Sequence, residues 1–292
     1  MDIILSICMI TYNQEKYIAQ TLDSILNQKH NYKYEIIIGD DCSVDGTRRI
    51  IEKYVSLYPT IIKPIFNESN LGIIRNYYNV IKHCTGKYIM ECAGDDYWLP
   101  GKIAYQIDYM EKHNCLLSYS KVETINQCGK KGKWGSKRIT TKQILISNQI
   151  PAVSVCFKNQ TIKEYISTVS PDKKTWLMED YPFWLWISTK GKIKYIRKPF
   201  AVYRINEGSL SHPENITKLL KFEESVRDIG LFFSQDNESY KKIVNNRYNY
   251  SMAKNYYRIK DLDKFNKSKD KLNMKFKIKL RIICIKKSLF QK

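Results

Sequence analysis

The chain has 292 residues, of which 43% are hydrophobic and 27% are charged, a composition that allows a buried core and excludes a compositionally disordered protein. The formal net charge of +20 is unevenly distributed, because residues 258–292 contain 13 Lys and Arg against 3 Asp. A basic segment of this kind attracts nucleic acid, anionic lipid or an acidic polymer, or it is simply the solvated face of a helix.

The eight cysteines form no C-x-x-C pair and no Cys/His cluster with the spacing of a zinc site. Several of them, such as Cys8 and Cys156, lie in apolar runs, where a free thiol behaves as a small hydrophobic group. We therefore expect reduced, buried thiols. No signal peptide precedes the first predicted strand and no apolar run approaches the ~20 residues that span a bilayer, so we expect a cytoplasmic protein.

The first part of the chain alternates short apolar strands with amphipathic helices. The predicted strands cover residues 3–10, 35–39, 61–66 and 87–92. The predicted helices cover residues 14–28, a segment opened by residues 45–47, residues 72–83, and a segment from 100 to about 113. Apolar strands without polar alternation favour a mostly parallel sheet with helices on both faces. The predicted fold class is therefore α/β, with residues 1–115 as a nucleotide-binding half.

The pattern changes after residue 115. The Gly- and Lys-rich stretch 128–136 is typical of an exposed loop or hairpin, and further strands are predicted at 151–157 and within 192–203. An aromatic helix is predicted between these strands, at 181–189. Its Trp184 and Trp186 cannot share a helix face, so we expect one in the core and the other near an acceptor. After about residue 213 the pattern is helical and polar.

Three polar clusters each follow a predicted strand, at residues 11–13, 40–47 and 94–98. Ligands bind outside the carboxyl ends of the strands in an open α/β sheet, and parallel strands place these ends at one edge, so the clusters can converge. The adjacent carboxylates of Asp95 and Asp96 suit a hard divalent cation, Mn²⁺ or Mg²⁺, that bridges a carboxylate and a nucleotide diphosphate. Asp45 equally suits a helix N-cap.

These stretches resemble the family 2 glycosyltransferases of the GT-A fold, of the type that builds bacterial surface polysaccharides. The stretches that carry the resemblance are residues 6–13, 40–47, 70–72, 86–89, 94–100, Lys102 and Gln106. The resemblance is strong over residues 1–115 and fair to about 212. It implies a GT-A fold, a Rossmann-like and mostly parallel sheet flanked by helices, with a helical C-terminal appendage. Its parts would be a nucleotide-sugar-binding half at 1–115, an acceptor-binding half at 116–212, and a basic helical region at 213–292.

The resemblance also implies a site for the donor nucleotide. The residues that it assigns to this site are Thr11, Tyr12, Asn13, Asp40, Asp41, Arg75, Asn76 and Asp95. In the family the first double-Asp motif holds the nucleotide base, usually uracil, so Asp40 or Asp41 should do so here. The later acidic motif implies Asp95 near the ribose and Asp96 on the metal, although many members carry an Asp at the position of Gly94. Arg75 and Asn76 either face the base or sugar or form an exposed helix turn.

Residues 176–180 resemble the Glu-Asp motif of the family, whose Asp is typically the catalytic base. An inverting transferase attacks the anomeric carbon directly, and an acceptor hydroxyl is a poor nucleophile, so a carboxylate must take its proton. The resemblance therefore implies Asp180 as the base, with Glu179 as the next candidate. Asp180 also suits the N-cap of the following helix, and the two roles are compatible.

Residues 203–212 resemble a loop that closes near the donor diphosphate in relatives, with a plain polar surface loop as the alternative. The candidates for contact with the diphosphate or the acceptor are Lys102, Trp98, Arg204, Ser209 and His212. Residues 275–287 alternate basic and apolar side chains, and either as a strand or as a helix they suit the surface of an anionic membrane. Contact with a partner protein or with a second copy of the chain is the alternative.

The expected function is metal-assisted, inverting transfer of a sugar from a UDP-sugar to a hydroxyl of a glycan or lipid-linked glycan. An inactive nucleotide-sugar-binding subunit is one alternative, which the intact acidic residues disfavour. A sugar nucleotidyltransferase is another, but it would carry a Gly-rich phosphate loop where this chain has residues 11–14. Nucleic-acid binding is not expected, because the basic residues are concentrated near the C-terminus and form no recognisable module with aromatic residues.

Overall fold

A computed structural model of the chain describes residues 2–206 and 215–289. The chain forms two compact units. The first unit comprises Met1–Ile144, Asn148–Lys174 and Met178–Asn206, and the second comprises Leu145–Ser147, Thr175–Leu177 and Glu207–Lys292. Each unit has a hydrophobic cluster of its own. The division of residues 1–212 into a nucleotide half and an acceptor half stays a prediction.

Strands and helices alternate along residues 2–206. The strands are β1 (Leu5–Thr11), β2 (Tyr34–Asp40), β3 (Ile62–Phe66), β4 (Tyr88–Glu91), β5 (Tyr97–Trp98), β6 (Leu117–Ser120), β7 (Val122–Asn126), β8 (Lys131–Trp134), β9 (Cys156–Lys158), β10 (Ile193–Ile196) and β11 (Ala201–Ile205). The helices are α1 (Ile18–Leu26), α2 (Thr47–Leu57), α3 (Ile73–His83), α4 (Lys102–His113), α5 (Thr141–Ile146), α6 (Asn159–Val169) and α7 (Asp180–Lys190).

The main sheet has seven strands in the order β10-β6-β9-β4-β1-β2-β3. Strand β1 runs parallel to β2 and β4, β2 runs parallel to β3, and β10 runs parallel to β6, whereas β9 is antiparallel to its neighbours. A second sheet has the order β5-β11-β7-β8. The stretch 128–136, predicted as a loop or hairpin, contains β8, which pairs with β7 in a hairpin. The predicted α/β class with a mostly parallel sheet is confirmed.

The packing of α1 on β1 shows why the apolar spacing produces this architecture. Ile18, Leu22 and Ile25 recur at helical spacing, are fully buried, and belong to the same cluster as Leu5 and Ile7 of β1. Burying each aliphatic side chain of this size stabilises the fold by ~1.5–3 kcal/mol. The predicted burial of the thiols is confirmed for Cys8, Cys84, Cys92, Cys115 and Cys156, whereas Cys42 and Cys284 are half-buried and Cys128 is exposed, and none of these residues forms a disulfide.

The prediction of a strand over residues 151–157 is largely wrong. Residues 152–154 form a 3₁₀ turn, and only Cys156–Lys158 is strand. Pro151 has no amide N–H to offer a sheet, and its carbonyl instead accepts hydrogen bonds from the amide and the hydroxyl of Ser154 at 2.9 and 2.7 Å. Strands β6 and β7 and helix α6 were not predicted, because polar residues interrupt their apolar pattern.

The aromatic helix α7 is buried on all sides rather than on one face. Trp184 and Trp186 are 0% and 6% exposed, so the expectation that one of them lies near an acceptor is wrong. Trp186 packs against Tyr165 of α6 with ring centres 5.5 Å apart, and Trp184 packs against Phe157 of β9 at 6.3 Å. Opposite faces of the helix therefore both serve the core, as expected for a helix that is apolar all round.

The second unit is helical, as predicted. Its helices are α8 (Ile216–Ser234), α9 (Glu238–Arg258), α10 (Leu262–Asp270) and α11 (Met274–Leu289). The first three begin at side-chain N-caps, which are Asn215, Asn237 and Asp261. The basic stretch 275–287 lies within α11, so the strand alternative for it is wrong. Across residues 2–206 and 215–289, no helix combines the length and apolar character that crossing a bilayer requires.

A buried carboxylate fastens the strands that carry the site. Glu35 of β2 is 0% exposed and accepts hydrogen bonds from the hydroxyl of Ser6 (2.6 Å), the ammonium of Lys63 (2.6 Å), and the amide and hydroxyl of Thr85 (both 2.8 Å). Burial alone would raise the pKa of Glu35, but these hydrogen bonds outweigh burial and lower the pKa below its ordinary value. One side chain thus links β1, β2, β3 and the segment before β4, and nothing in the sequence pattern predicted it.

We expect Glu35→Gln to lower the free energy of unfolding by about 1.5–3 kcal/mol, because an amide presents N–H groups to donors that need acceptors. The measurement is urea unfolding at pH 7. Glu52→Gln is the matched control, since Glu52 forms an exposed pair with Arg48 and should change stability by less than about 1 kcal/mol. The pKa of Glu35 is lowered in the folded state. Its contribution to the free energy of unfolding should therefore be fully present above pH ~4.5 and be lost as the pH falls through the lowered pKa of the folded state. Equal stability of the two variants would contradict this role.

Candidate active site

The loops after β1 and β2 are fastened to each other at one edge of the sheet. Thr11 and Asp40 are partners in the β1–β2 register, so both strands end at the same level. Asn13 has a left-handed backbone with φ of 53°; its amide donates to the hydroxyl of Ser43 at 2.9 Å, and its side-chain oxygen accepts from the amide of Val44 at 2.9 Å. Two of the three predicted polar clusters therefore meet here.

The two carboxylates of the first acidic pair have different surroundings. Asp41 accepts from the amides of Leu71 and Gly72 at 2.8 and 2.9 Å and from the side chain of Asn67 at 3.0 Å, so both of its oxygens hold the segment before α3. Asp40 accepts only from Ser43, at 2.5 Å from the hydroxyl and 3.4 Å from the amide. Burial raises the pKa of Asp40, against these hydrogen bonds. Of the pair, Asp40 has the less committed oxygens.

Of the other residues that were assigned to the nucleotide site, some are exposed and some are buried and hydrogen-bonded within the fold. Tyr12 is 46% exposed and Arg75 is exposed, whereas Thr11 is buried and donates its hydroxyl to Gln14 at 2.7 Å. Asn76 is 2% exposed; its side chain donates to the carbonyl of Gly39 at 2.9 Å and accepts from Asn67 at 3.0 Å. The expectation that Asn76 faces a base or sugar, or forms an exposed turn, is therefore wrong, because it lies on the buried face of α3.

Strand β11 brings a second set of groups to the later acidic motif. It pairs with β5, and this pairing lets the amide of Arg204 donate to Asp96 Oδ1 at 2.8 Å. The side chain of Asn206 donates to Asp95 Oδ2 at 2.7 Å. The Arg204 guanidinium donates to the carbonyl of Asp95 and to the side chain of Gln20, and it lies over the rings of Tyr17 and Tyr97 at 4.8 and 4.7 Å. The sequence identified Arg204 but not Asn206, Gln20 or Tyr17.

Asp95 and Asp96 are adjacent like charges, of which Asp95 is half-buried and Asp96 is buried. Burial raises the pKa of Asp95; burial and then the charge of Asp95 raise the pKa of Asp96 well above its ordinary value. A divalent cation would offset this repulsion, and the oxygen donors fit Mn²⁺ or Mg²⁺. Within the part of the chain that the structure describes, no group of three or more His, Cys, Asp or Glu could hold a metal ion. Diphosphate oxygens and water would therefore supply most of the remaining ligands.

Gly94, where many family members carry an Asp, has no room for a side chain. A Cβ atom built there would lie 2.5 Å from Gln14 Oε1 and 2.7 Å from Thr11 Oγ1. The segment before the acidic motif therefore packs directly against the loop that follows β1. A side chain at this position would require Gln14 and Thr11 to move, and in this chain Asp95 and Asp96 are the acidic groups of the motif.

Lys102 and Trp98, predicted to contact the diphosphate or the acceptor, are interior residues. Lys102 is 0% exposed and Trp98 is 3% exposed. The Lys102 ammonium donates to Gln106 at 2.6 Å and to the carbonyl of Val155 at 3.5 Å, and it lies 4.9 Å from the centre of the Trp98 ring. Burial lowers the pKa of Lys102 to about 8. The prediction for both residues is wrong, because Lys102 lies on the buried face of α4 and its ammonium packs against the buried Trp98 ring of β5. Ser209 and His212 lie outside the described residues.

The proposed base lies at the start of α7. Asp180 is the first residue of this helix and accepts from the amide of Tyr181 at 2.5 Å, while Glu179 occupies the N-cap position without a capping hydrogen bond. Burial raises the pKa of Asp180, opposed by the hydrogen bond from the Tyr181 amide; burial and then Asp180 raise the pKa of Glu179. These carboxylates therefore hold protons more readily than exposed ones, as a group that accepts a proton requires.

A third carboxylate, and this one buried, interacts with Glu179 and Asp180, and the sequence pattern did not reveal it. Glu91, at the end of β4, is 6% exposed and accepts from the Tyr77 hydroxyl at 2.5 Å. Burial, then the charges of Glu179 and Asp180, raise the pKa of Glu91 to about 8. At neutral pH Glu91 is therefore mostly protonated, which limits the negative charge around Asp180. Its position in an apolar strand, KYIMEC, was the available signal.

The comparisons with known proteins agree with this arrangement. Residues 6–168 match the model of the family described as glycosyl transferase family 2. An uncharacterised protein of Mycobacterium tuberculosis is 31% identical over 217 residues, which cover 71% of this chain and 60% of that protein, so the chain spans less than two thirds of this relative. The β-1,3-glucosyltransferase WfgD of Escherichia coli, named for UDP-Glc and α-D-GlcNAc-diphosphoundecaprenol, is 30% identical over 72% of this chain and 80% of its own length.

Solved structures share the fold. Residues 1–349 of TarS from S. aureus, solved with UDP-GlcNAc, superpose with a TM-score of 0.67 at 19% identity and cover 91% of this chain and 90% of that one. A mannosyltransferase from Pyrobaculum calidifontis, solved with GDP-Man and Mn²⁺, superposes with a TM-score of 0.61 at 14% identity. The match covers 99% of this chain and 80% of that one. The expected GT-A fold is confirmed. With over half of its length matched by the family model, this chain belongs to family 2 of the glycosyltransferases.

Proposed function

We propose that this chain is an inverting glycosyltransferase that moves a sugar from a UDP-sugar to a hydroxyl of a glycan or lipid-linked glycan. The observation that carries this proposal is the meeting of strand-end carboxylates with Arg204 and Asn206 at one edge of the sheet, in the same unit as the half-buried acids Glu179 and Asp180 at the start of α7. The names of WfgD and of the TarS complex, which refer to UDP-sugars, support the choice of donor.

The donor would be held by the loops after β1, β2 and β4. Asp40 is 1% exposed and accepts from Ser43, so it would accept the imide N–H of uracil in exchange for that contact, and the exposed Tyr12 and Arg75 can cover the base and the sugar. Asp95, kept in place by Asn206, would accept from the ribose hydroxyls. A divalent cation held by Asp96 would neutralise the charge that develops on the leaving diphosphate.

Arg204 serves the site through its backbone and its side chain. Its amide orients Asp96, and its guanidinium is anchored on the carbonyl of Asp95 and between two tyrosine rings. A cation fixed beside the acidic motif also stabilises negative charge on a nearby diphosphate. Contact of Arg204 with the diphosphate therefore stays part of the proposal, with the added role of holding the acidic motif.

Asp180 would act as the general base. The acceptor oxygen attacks the anomeric carbon, the bond from that carbon to the diphosphate breaks with its electron pair on the diphosphate oxygen, and the acceptor proton moves to the Asp180 carboxylate. Burial suits this role because it makes the carboxylate more basic. The raised pKa of Glu91 lowers the negative charge that Asp180 faces and so favours an ionised Asp180.

The donor site predicts a nucleotide and metal preference that calorimetry can measure. With Mn²⁺ present, UDP should bind at least ~10-fold more tightly than GDP, a difference of about 1.4 kcal/mol. EDTA should weaken UDP binding and stop UDP-sugar hydrolysis, and added Mn²⁺ or Mg²⁺ should restore both. Asp96→Asn should remove the metal effect, whereas Asp172→Asn, at an exposed position, should leave it unchanged. Equal binding of UDP and GDP would contradict the base assignment, and hydrolysis that persists in EDTA would contradict the metal.

The base assignment predicts that Asp180→Asn keeps nucleotide binding and loses catalysis. Transfer and slow UDP-sugar hydrolysis should fall by roughly 10²–10⁴-fold in kcat, because proton removal matters only in the transition state. UDP affinity and the thermal melting temperature should match those of the Asp172→Asn control. Near-normal turnover would place the base elsewhere, with Glu179→Gln as the next variant. Loss of UDP binding would place Asp180 in the donor site instead.

The raised pKa of Asp180 predicts a specific pH dependence. The ionised carboxylate is the active form, so kcat should decline as the pH falls through the raised folded value, above the ordinary 3.8 of an aspartate. The measurement is the pH profile of UDP-sugar hydrolysis at saturating donor, with UDP affinity measured at each pH as the control. An acid limb at or below pH ~4 would show that the group that titrates is an ordinary exposed carboxylate.

A further inference from the structure

Over residues 274–282 and 284, helix α11 in the second unit has one apolar face that packs into the fold and another that is exposed. Phe276, Leu280 and Cys284 pack with Ala253 of α9 in the cluster of this unit. Met274, Ile278 and Ile282 instead are 71%, 54% and 49% exposed. Their spacing of four residues places them in one stripe that is ~12 Å long. At roughly 100° per residue, this stripe lies opposite the buried face.

Basic side chains border the exposed stripe on both sides. Lys275 and Lys279 lie on one flank and Lys277 and Arg281 on the other, at ~60–100° from the centre of the stripe. Lys275, Lys279 and Arg281 are exposed and Lys277 is half-buried. Helix α11 contains no acidic residue. The outward face is therefore an apolar strip between two rows of cations, over a helix that is anchored from behind.

This pattern of charged and apolar side chains distinguishes between the partners that could bind to the exposed face of α11. A second copy of the chain would bring the same cations against them, and the stripe exposes only on the order of 300 Å², against the ~800 Å² per partner of a standard interface. A nucleic acid would satisfy the cations and leave the apolar strip in water. An anionic lipid surface accommodates both, because acyl chains accept the apolar side chains while the lysine stems extend towards the head groups.

We propose that the outward face of α11 is a membrane-binding surface that recognises anionic lipid head groups, with Met274, Ile278 and Ile282 inserted below them. The helix would lie in the plane of the interface and not span it, since its opposite face belongs to the core of the second unit. The proposal goes beyond the transfer reaction and does not depend on it. It does place the enzyme at the surface where a lipid-linked acceptor would be found.

The test is co-sedimentation of the full-length chain with vesicles of 3:1 phosphatidylcholine and phosphatidylglycerol, compared with pure phosphatidylcholine. The chain should partition at least ~10-fold more strongly into the anionic vesicles, and this excess should shrink in high salt. Lys275→Gln with Lys279→Gln should reduce the partition coefficient by about 25-fold, as two contacts of ~5-fold each predict. Ile278→Asn with Ile282→Asn should reduce binding to the anionic vesicles without changing UDP affinity.

Lys53→Gln with Lys82→Gln is the matched control, because it removes the same charge from exposed positions of the first unit and should leave partitioning unchanged. Matching melting temperatures and UDP affinities keep the α11 variants interpretable. Equal binding to neutral and anionic vesicles, or an unaffected Ile278→Asn/Ile282→Asn variant, would overturn the proposal. Self-association in sedimentation that this variant abolishes, with no vesicle binding, would overturn it in favour of a second copy.

Discussion

Parallel pairing of β1 with β2 on one side and β4 on the other is the constraint on which the rest of the first unit depends. It brings three strand ends, and the acidic groups that follow them, to one edge of the sheet. The strands are held together from inside by Glu35, which accepts hydrogen bonds from three different segments. A polar group buried at this depth is tolerable only because every donor around it is matched, so its geometry fixes the register.

The charged residues inside the first unit have two different roles. Lys102 and Glu35 form hydrogen bonds that join different elements. Desolvation raises the pKa of Asp95, Asp96, Glu179 and Asp180, and a neighbouring acid adds to this for Asp96 and Glu179, so the ionised forms are unfavourable where they lie. Such groups destabilise the folded chain unless a cation, a donor or a proton arrives. This difference distinguishes the charged residues that stabilise the fold from the carboxylates that are candidates for catalysis or metal binding.

The fold leaves the identity of the donor to a few loop residues. Structures of the same fold were solved with a uridine and with a guanosine nucleotide, so the sheet itself does not discriminate between bases. In the proposed donor site the distinction would fall to the loop that carries Asp40, because Asp41 already accepts from backbone amides of the segment before α3. Gly94 packs against Gln14 and Thr11 of the loop after β1, so the acidic motif and that loop share one close contact.

The sequence by itself determined the alternation of strands and helices over residues 1–115, the parallel sheet, the strand-end clusters and the family, because apolar period and motif order are local properties. It did not determine that Asn76, Lys102 and Trp98 point inward, that residues 152–154 turn, or that both tryptophans of α7 are buried. The contacts of Asn206 and the buried Glu91 also came only from the tertiary structure. Each depends on which distant element covers a side chain, and pairings such as β11 with β5 bring together residues about a hundred positions apart.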